Sequence, residues 1–267
     1  MKVHMRIYLS SLAGISKPLK SFVVKALNLG FNNIEILDEW GHRLDGKKVQ
    51  ELMELKRSYS LNYVVHAPYD GINISTPQRV LRKASLKLIE KSMKYAHDLE
   101  AKLIVVHSGF KSPLDYLKPK TSWNLFLEVL KQLNKLASDL DVYVGIENMP
   151  SGTVAIIQSC EETLTLIEEV QVLDRIGITL DVGHSNTISI HEARNYLLRV
   201  SKHLLHIHLH DNSGDVDSHL AVGSGSINWA SIMPLIKGLK LIGGLTIEVM
   251  RFKDAKKSFD VITRMLR

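Results

Sequence analysis

Residues 103–107 read LIVVH and residues 62–66 read NYVVH, two short β-branched runs of strand length that each close on a histidine. Outward from them the same unit recurs, with helical segments in between, which is the pattern of repeated βα units and a parallel sheet. Strands are expected at Arg6 to Ser10, Asn33 to Leu37, Asn62 to His66, Leu103 to His107, Tyr143 to Asn148, Gly177 to Asp181, Leu204 to His210 and Leu245 to Val249. Their starts lie 27 to 41 residues apart, room for a strand, a helix and two loops each time. Helix signals fall between them. Thr76 before Pro77 has the look of an N-cap with proline at the first helical position. Ser159 with Glu162 and Ser189 with Glu192 have capping-box spacing, and Gly30 suits a helix C-terminus. No GxGxxG or GxxxxGK[ST] follows an early strand to seat a nucleotide, so a closed (β/α)8 barrel is expected in place of an open doubly wound sheet. No linker or composition break divides the chain, which reads as one domain over residues 1–267.

Composition agrees. Of 267 residues 45% are hydrophobic and 23% charged, which excludes a disordered chain, a collagen-like repeat and a coiled coil. The one cysteine, Cys160, rules out an intramolecular disulfide and a thiolate-rich zinc cluster, and fits a reducing, cytoplasmic setting. Its place near a helix N-terminus has no evident partner to activate it. No apolar stretch reaches the ~20 residues of a membrane helix. The opening MKVHMRIYLSSLAG faintly imitates a secretory signal, but Arg6 interrupts it and residues 7–9 are needed as a strand. The net charge of +6 is scattered over most of the expected helices, as a solvated basic surface would be, and forms no single nucleic-acid footprint.

A barrel of this kind concentrates chemistry at the C-terminal ends of its strands. There the sequence places His66, His107, Glu147, Asp181, the alternating HIHLHD of residues 206–211, and Glu248. One such histidine is more often a hydrogen-bonded structural group than a ligand. Ligand-type residues at six consecutive strand ends are different, because one mouth would gather them, and a divalent cation compensates their charge and lone pairs most simply. Asp181-x-x-His184 and Asp217-x-His219 add two short pairs that a loop can aim at one ion. The mixed nitrogen and oxygen set favours zinc, manganese, iron or cobalt. His4, His42, His97, His191 and His203 fall away from the mouth.

At these residues the chain resembles the xylose-isomerase-like TIM-barrel superfamily, which includes endonuclease IV and many sugar and sugar-phosphate isomerases and epimerases. The resemblance spans nearly the whole chain and rests on HAPYDGINIS, VVHSG, IENMP, LDVGH, HLHDN, DSHLAVGSGSINW and the terminal IEV. The isomerase and epimerase members imply one metal held by Glu147, Asp181, His208 and Glu248. In that reading Glu147 and Glu248 also exchange protons with opposite faces of an enediolate. Endonuclease IV implies three zinc ions held by the same four residues with His66, His107, His184, Asp217 and His219, all matched here. Its activity would be phosphodiester cleavage at abasic DNA. The resemblance selects His208 as the ligand of HIHLHD, leaving His206 a satisfied core residue and His210 a neighbour of the ligands or of substrate.

Between these activities the substrate-facing segments favour a sugar or sugar phosphate as partner, with DNA as the alternative. After strand two this chain has IEILDEWGHRL, whose Glu35, Asp38 and Glu39 would repel phosphates, and Glu35 in its IEI context looks like the isomerase branch. Ser108 and Ser224 replace a proline and a glutamate usual in the family. Tyr69 matches an aromatic of endonuclease IV yet also occurs in the HAPY of presumed sugar enzymes. Glu35, Tyr69, His184, His210 and Trp229 are the candidates for substrate contact, with packing the commoner role of a tryptophan. Gly223, Gly225 and Ser226 suit either a phosphate cradle or a plain tight turn. Members of the isomerase branch are often homo-oligomers.

Overall fold

The computed structural model describes residues 5–267, so the expectation for His4 lies outside the described residues. Eight parallel strands close on themselves in sequence order: β1 (Ile7–Ser10), β2 (Asn33–Leu37), β3 (Asn62–His66), β4 (Leu103–His107), β5 (Tyr143–Glu147), β6 (Ile176–Asp181), β7 (Leu204–Leu209) and β8 (Gly244–Ile247). β8 returns to β1 with Ile7 opposite Leu245, and this last pairing turns the sheet into a barrel with no free edge. Between and after the strands run α1 (Leu19–Asn28), α2 (Gly46–Tyr59), α3 (Arg79–Asp98), α4 (Thr121–Asp139), α5 (Cys160–Glu169), α6 (Val182–Ile188), α7 (Glu192–Arg199), α8 (Trp229–Lys237) and α9 (Phe252–Leu266). No helix among the described residues is long and apolar enough to cross a membrane.

The main core lies between strands and helices, where Leu9, Ile34, Ile36, Val65, Ile104, Val106, Ile146 and Ile207 meet residues such as Phe22, Leu52, Met93, Phe126 and Leu166. Alternate strand residues point into the barrel. Its lower part is filled by Tyr8, Val64, Leu103 and Val105, a small apolar cluster on which Tyr143 and Leu205 pack. Above this plug the interior turns polar, with Glu35, Thr179, His206, His208 and Thr246 all fully buried.

Local signals succeeded where no tertiary contact outbid them. Ser159 and Glu162 form the expected capping box at α5, and Gly30 takes a left-handed φ of +93° just past α1. At α3 the helix instead starts at Arg79 after Gln78, leaving Thr76 and Pro77 in the preceding loop, where the Thr76 hydroxyl accepts from Gln78 N–H at 3.3 Å. At α7 the Ser189–Glu192 box does not form. Glu192 is the first helical residue, and its carboxylate accepts from the Cys160 N–H at 2.6 Å, tying α7 to the start of α5. Strand ends differ by a residue or two: β5 stops at Glu147, and Glu248 follows β8.

Candidate metal centre

Three groups of donors meet at the C-terminal mouth. His66, His107 and Glu147 form one, Glu147, Asp181, His208 and Glu248 a second, and His184, His210, Asp217 and His219 a third, with the donor atoms of each within 4.8 Å of one another. Glu147 joins the first two. Its Oε2 lies 3.2 Å from both His66 Nε2 and His107 Nε2, while its Oε1 lies 2.9 Å from His208 Nδ1. His208 Nδ1 is also 3.0 Å from Glu248 Oε2 and 3.6 Å from Asp181 Oδ2. In the third group Asp217 Oδ2 stands 3.2 Å from His184 Nε2 and 3.2 Å from His219 Nε2, and its Oδ1 stands 3.6 Å from His210 Nε2.

Three of these imidazoles are aimed by the backbone. A carbonyl can only accept, so the ring nitrogen facing one must carry the proton. His66 Nδ1 donates to Ala67 O at 2.8 Å, His184 Nδ1 to Asn148 O at 2.8 Å, and His219 Nδ1 to Glu248 O at 3.0 Å. In each case Nε2 is the ring nitrogen that faces the carboxylates, which is how ligand histidines are oriented in metal sites. His219 also takes a left-handed φ of +45°, a conformation that costs energy in a non-glycine residue and concentrates at functional sites. Asp181 serves twice. Its Oδ1 caps α6 by accepting the His184 N–H at 2.6 Å, and its Oδ2 faces His210 Nε2 at 3.1 Å. Gly183 makes room for that histidine, since a Cβ there would fall 1.9 Å from His210 Cε1.

Charge is the outstanding feature. Among the described residues no lysine or arginine pairs with Glu147, Asp181, Asp217 or Glu248, all of which face imidazoles. Protons must then do the work of a cation. Burial lowers an imidazole's pKa, but at His184 it is outweighed by Asp181 and Asp217, which push the value up to about 10. At His219 burial is likewise outweighed, chiefly by Asp217, and the value rises to about 9. Burial works against ionisation of Glu147, yet His208, His107 and His66 hold its carboxyl well below the usual carboxylate range.

The donor spacing suits a divalent ion. Bonds of ~2.0–2.2 Å in tetrahedral coordination put neighbouring ligand atoms about 3.3 Å apart; the imidazole–carboxylate separations given above run from 2.9 to 3.6 Å, and all donor atoms of a group lie within 4.8 Å of one another. All nine positions singled out as ligands from the sequence stand in these groups, and His210 joins them.

The structure places the remaining candidates unevenly. Tyr69 stacks on His107, with ring centres 4.9 Å apart, and meets Trp40 edge-on at 5.8 Å, so it walls the mouth. Glu35 lies a layer lower, fully buried beneath His208. The loop after β2 is no exposed acidic barrier either. Asp38 accepts from Leu44 N–H and the Ser92 hydroxyl, and Glu39 from the N–H groups of Tyr69 and Asp70. Trp229 is 4% exposed and donates its indole N–H to Asp211 at 2.8 Å, so it packs and does not line the opening. Gly223 and Ser226 give their N–H groups to Asp211 and Asn212, the bonding of a tight turn. Asn148 escaped sequence reasoning. Its carbonyl fixes His184, and its side chain accepts from Asp181 N–H at 2.8 Å, a role signalled only by its place beside Glu147 in IENMP.

Fold and donor set together put the chain among parallel barrels that gather histidines and carboxylates at the C-terminal mouth. Within that class it belongs to the xylose isomerase-like TIM barrel family, which matches residues 23–265. Uncharacterized protein MJ1311 of Methanocaldococcus jannaschii is 30% identical over 265 residues, covering 98% of this chain and 89% of its own. A solved structure described as a D-tagatose 3-epimerase-like protein superposes with a TM-score of 0.88 at 30% identity, covering 98% of this chain and 97% of that one. Probable endonuclease 4 of Mycoplasmoides gallisepticum is 27% identical over 192 residues, 66% of this chain and 60% of its own.

Proposed function

We propose that the chain is a divalent-metal-dependent isomerase or epimerase of sugars or sugar phosphates, acting at Glu147, Asp181, His208 and Glu248. One observation carries this reading: three carboxylates converge on a single imidazole nitrogen, His208 Nδ1, at 2.9, 3.0 and 3.6 Å. One ring nitrogen can serve one of them, and the surplus charge in a buried pocket calls for a cation. Zinc suits the donor set, as do manganese, cobalt and iron. When bound, such an ion supplies Lewis-acid polarisation of a carbonyl and its neighbouring hydroxyl oxygen, which acidifies the C–H between them.

The chain's own residues account for the rest. Glu147 ends β5 and Glu248 follows β8, three strands away around the barrel, so the two carboxylates approach the pocket from different sides. A proton removed by one and returned by the other inverts the carbon between them. Tyr69 and Trp40 give the opening an apolar wall that suits the C–H face of a sugar. The loops after β3, β5 and β7, residues 67–78, 148–159 and 210–228, contain no lysine or arginine. Recognition of a DNA backbone needs several such cations around the site; the loops after β2, β4 and β8 do carry Arg43, Lys111, Lys118, Lys120 and Arg251, but those after β3, β5 and β7 offer none, which supports a small-molecule substrate over a duplex. The D-tagatose 3-epimerase-like neighbour supports the same class.

A second reading, an endonuclease IV-like zinc phosphodiesterase acting at abasic DNA, is favoured by the two flanking donor groups, which exceed what a one-metal epimerase uses. One experiment separates them. Protein loaded with zinc, manganese or cobalt is incubated in D2O with a panel of ketoses and ketose phosphates, and separately with an abasic-site duplex. Deuterium entering at the carbon beside the carbonyl, lost in Glu248→Gln, is the expected result. No exchange with any sugar, together with chelator-sensitive cleavage of the duplex, would transfer the assignment to the phosphodiesterase.

A further inference from the structure

Below the ligands lies a polar layer with no route to solvent: Glu35 from β2, His206 from β7 and Thr246 from β8, each 0% exposed. Beneath it is the apolar plug, with the Tyr8 ring edge-on to His206 at 6.0 Å. A carboxylate buried there without lysine or arginine is costly unless each oxygen is engaged. Glu35 Oε2 is engaged twice, accepting from the Thr246 hydroxyl at 2.5 Å and from His206 Nε2 at 2.9 Å. Among the described residues neither its other oxygen, Oε1, nor His208 Nε2 has a hydrogen-bond partner, and the two buried atoms face each other at 3.0 Å. His206 is admitted by Gly243, where a Cβ would come within 2.3 Å of His206 Nδ1.

We propose that Glu35 is a positioning residue: it holds the Nε2–H of His208, so that Nδ1 presents its lone pair to the Glu147, Asp181 and Glu248 cluster. Thr246 and His206 fix the carboxylate by occupying Oε2, leaving Oε1 free for His208 alone. The backbone aims His66, His184 and His219 through carbonyls. His208 Nε2 points inward, away from any such carbonyl, and Glu35 takes that place. A ligand histidine backed by a carboxylate is both more basic and fixed in tautomer and tilt. The inference rests on the metal-site reading above and assigns Glu35 a role apart from substrate contact.

The test is cation affinity, with cobalt(II) and zinc as probes. Wild type, Glu35→Gln and Thr246→Val are titrated against a chromophoric chelator, and the cobalt absorption spectrum of each is recorded. Glu35→Gln should weaken the first binding step about 10- to 100-fold and alter the cobalt bands, with Thr246→Val moving the same way by a smaller factor. Glu35→Gln that melts lower in chelator yet binds cobalt with wild-type affinity and spectrum would show a structural role only and overturn the proposal. If Glu35→Gln does not fold, unchanged affinity and spectrum in Thr246→Val overturn it instead. Wild type that takes up no cation would overturn the functional reading, whereas wild type and Glu35→Gln binding alike would overturn this inference alone.

Discussion

Gly183→Ala tests the packing that aims the third donor group. The added Cβ would sit 1.9, 2.3 and 2.5 Å from Cε1, Nδ1 and Nε2 of His210. Ordinary contact begins at 3.4 Å, so the ring must retreat by about 1.5 Å. It has nowhere to go. His210 is fully buried, stacked on His219 at 4.1 Å, with Nε2 3.0 Å from Asp181 Oδ1. Overpacking costs ~1–3 kcal/mol, and losing a hydrogen bond to a charged group ~1.5–3 kcal/mol, so a loss of about 3–5 kcal/mol is expected. At roughly 2–4 °C per kcal/mol for a chain of this size, the melting temperature should fall by about 6–20 °C. The assay is circular dichroism melting in chelator, with Gly46→Ala as control, since nothing lies within 4 Å of a Cβ there. Adding His210→Ala should restore part of the loss by removing the clash. Gly183→Ala melting together with Gly46→Ala would refute the reasoning.

Two further outcomes follow from local structure. Ser159→Ala removes one half of the box that starts α5, where the hydroxyl accepts from Glu162 N–H at 3.2 Å; chemical denaturation should show a loss of about 1 kcal/mol, and an unchanged midpoint would contradict it. Burial pushes the Cys160 thiol up to about 11 from 9.0, so alkylation of the native protein should be suppressed about 100-fold or more against the unfolded chain near pH 8. The unfolded thiol ionises first as pH rises, so this group takes stability away above pH 9 and none below it. Labelling at equal rates in the two states would argue against the burial.

The barrel and its donors were legible because both depend on short-range pattern. A run such as LIVVH announces a strand and its end together, and closure of the barrel then brings His66, His107, Glu147, Asp181 and the HIHLHD run to one rim whatever the loops do, with the family resemblance singling out His208 within that run. What stayed hidden depends on direction. Glu35, Asp38 and Glu39 read as an acidic loop, but strand alternation turns Glu35 into the interior, and backbone N–H groups tens of residues away claim Glu39. Glu192 satisfies a capping-box rule on paper, while the start of α5 holds its carboxylate in space. Asn148 acts mainly through its carbonyl and its contact to Asp181, which residue type alone does not reveal.

The central claim is that the buried donors at the mouth hold cations. An anomalous-scattering map of crystals grown with zinc tests it directly, paired with metal content per chain in solution. The account predicts a peak enclosed by Glu147, Asp181, His208 and Glu248. Protein that remains metal-free after equilibration with zinc, manganese, cobalt and iron, or whose peaks lie away from these four residues, would contradict it.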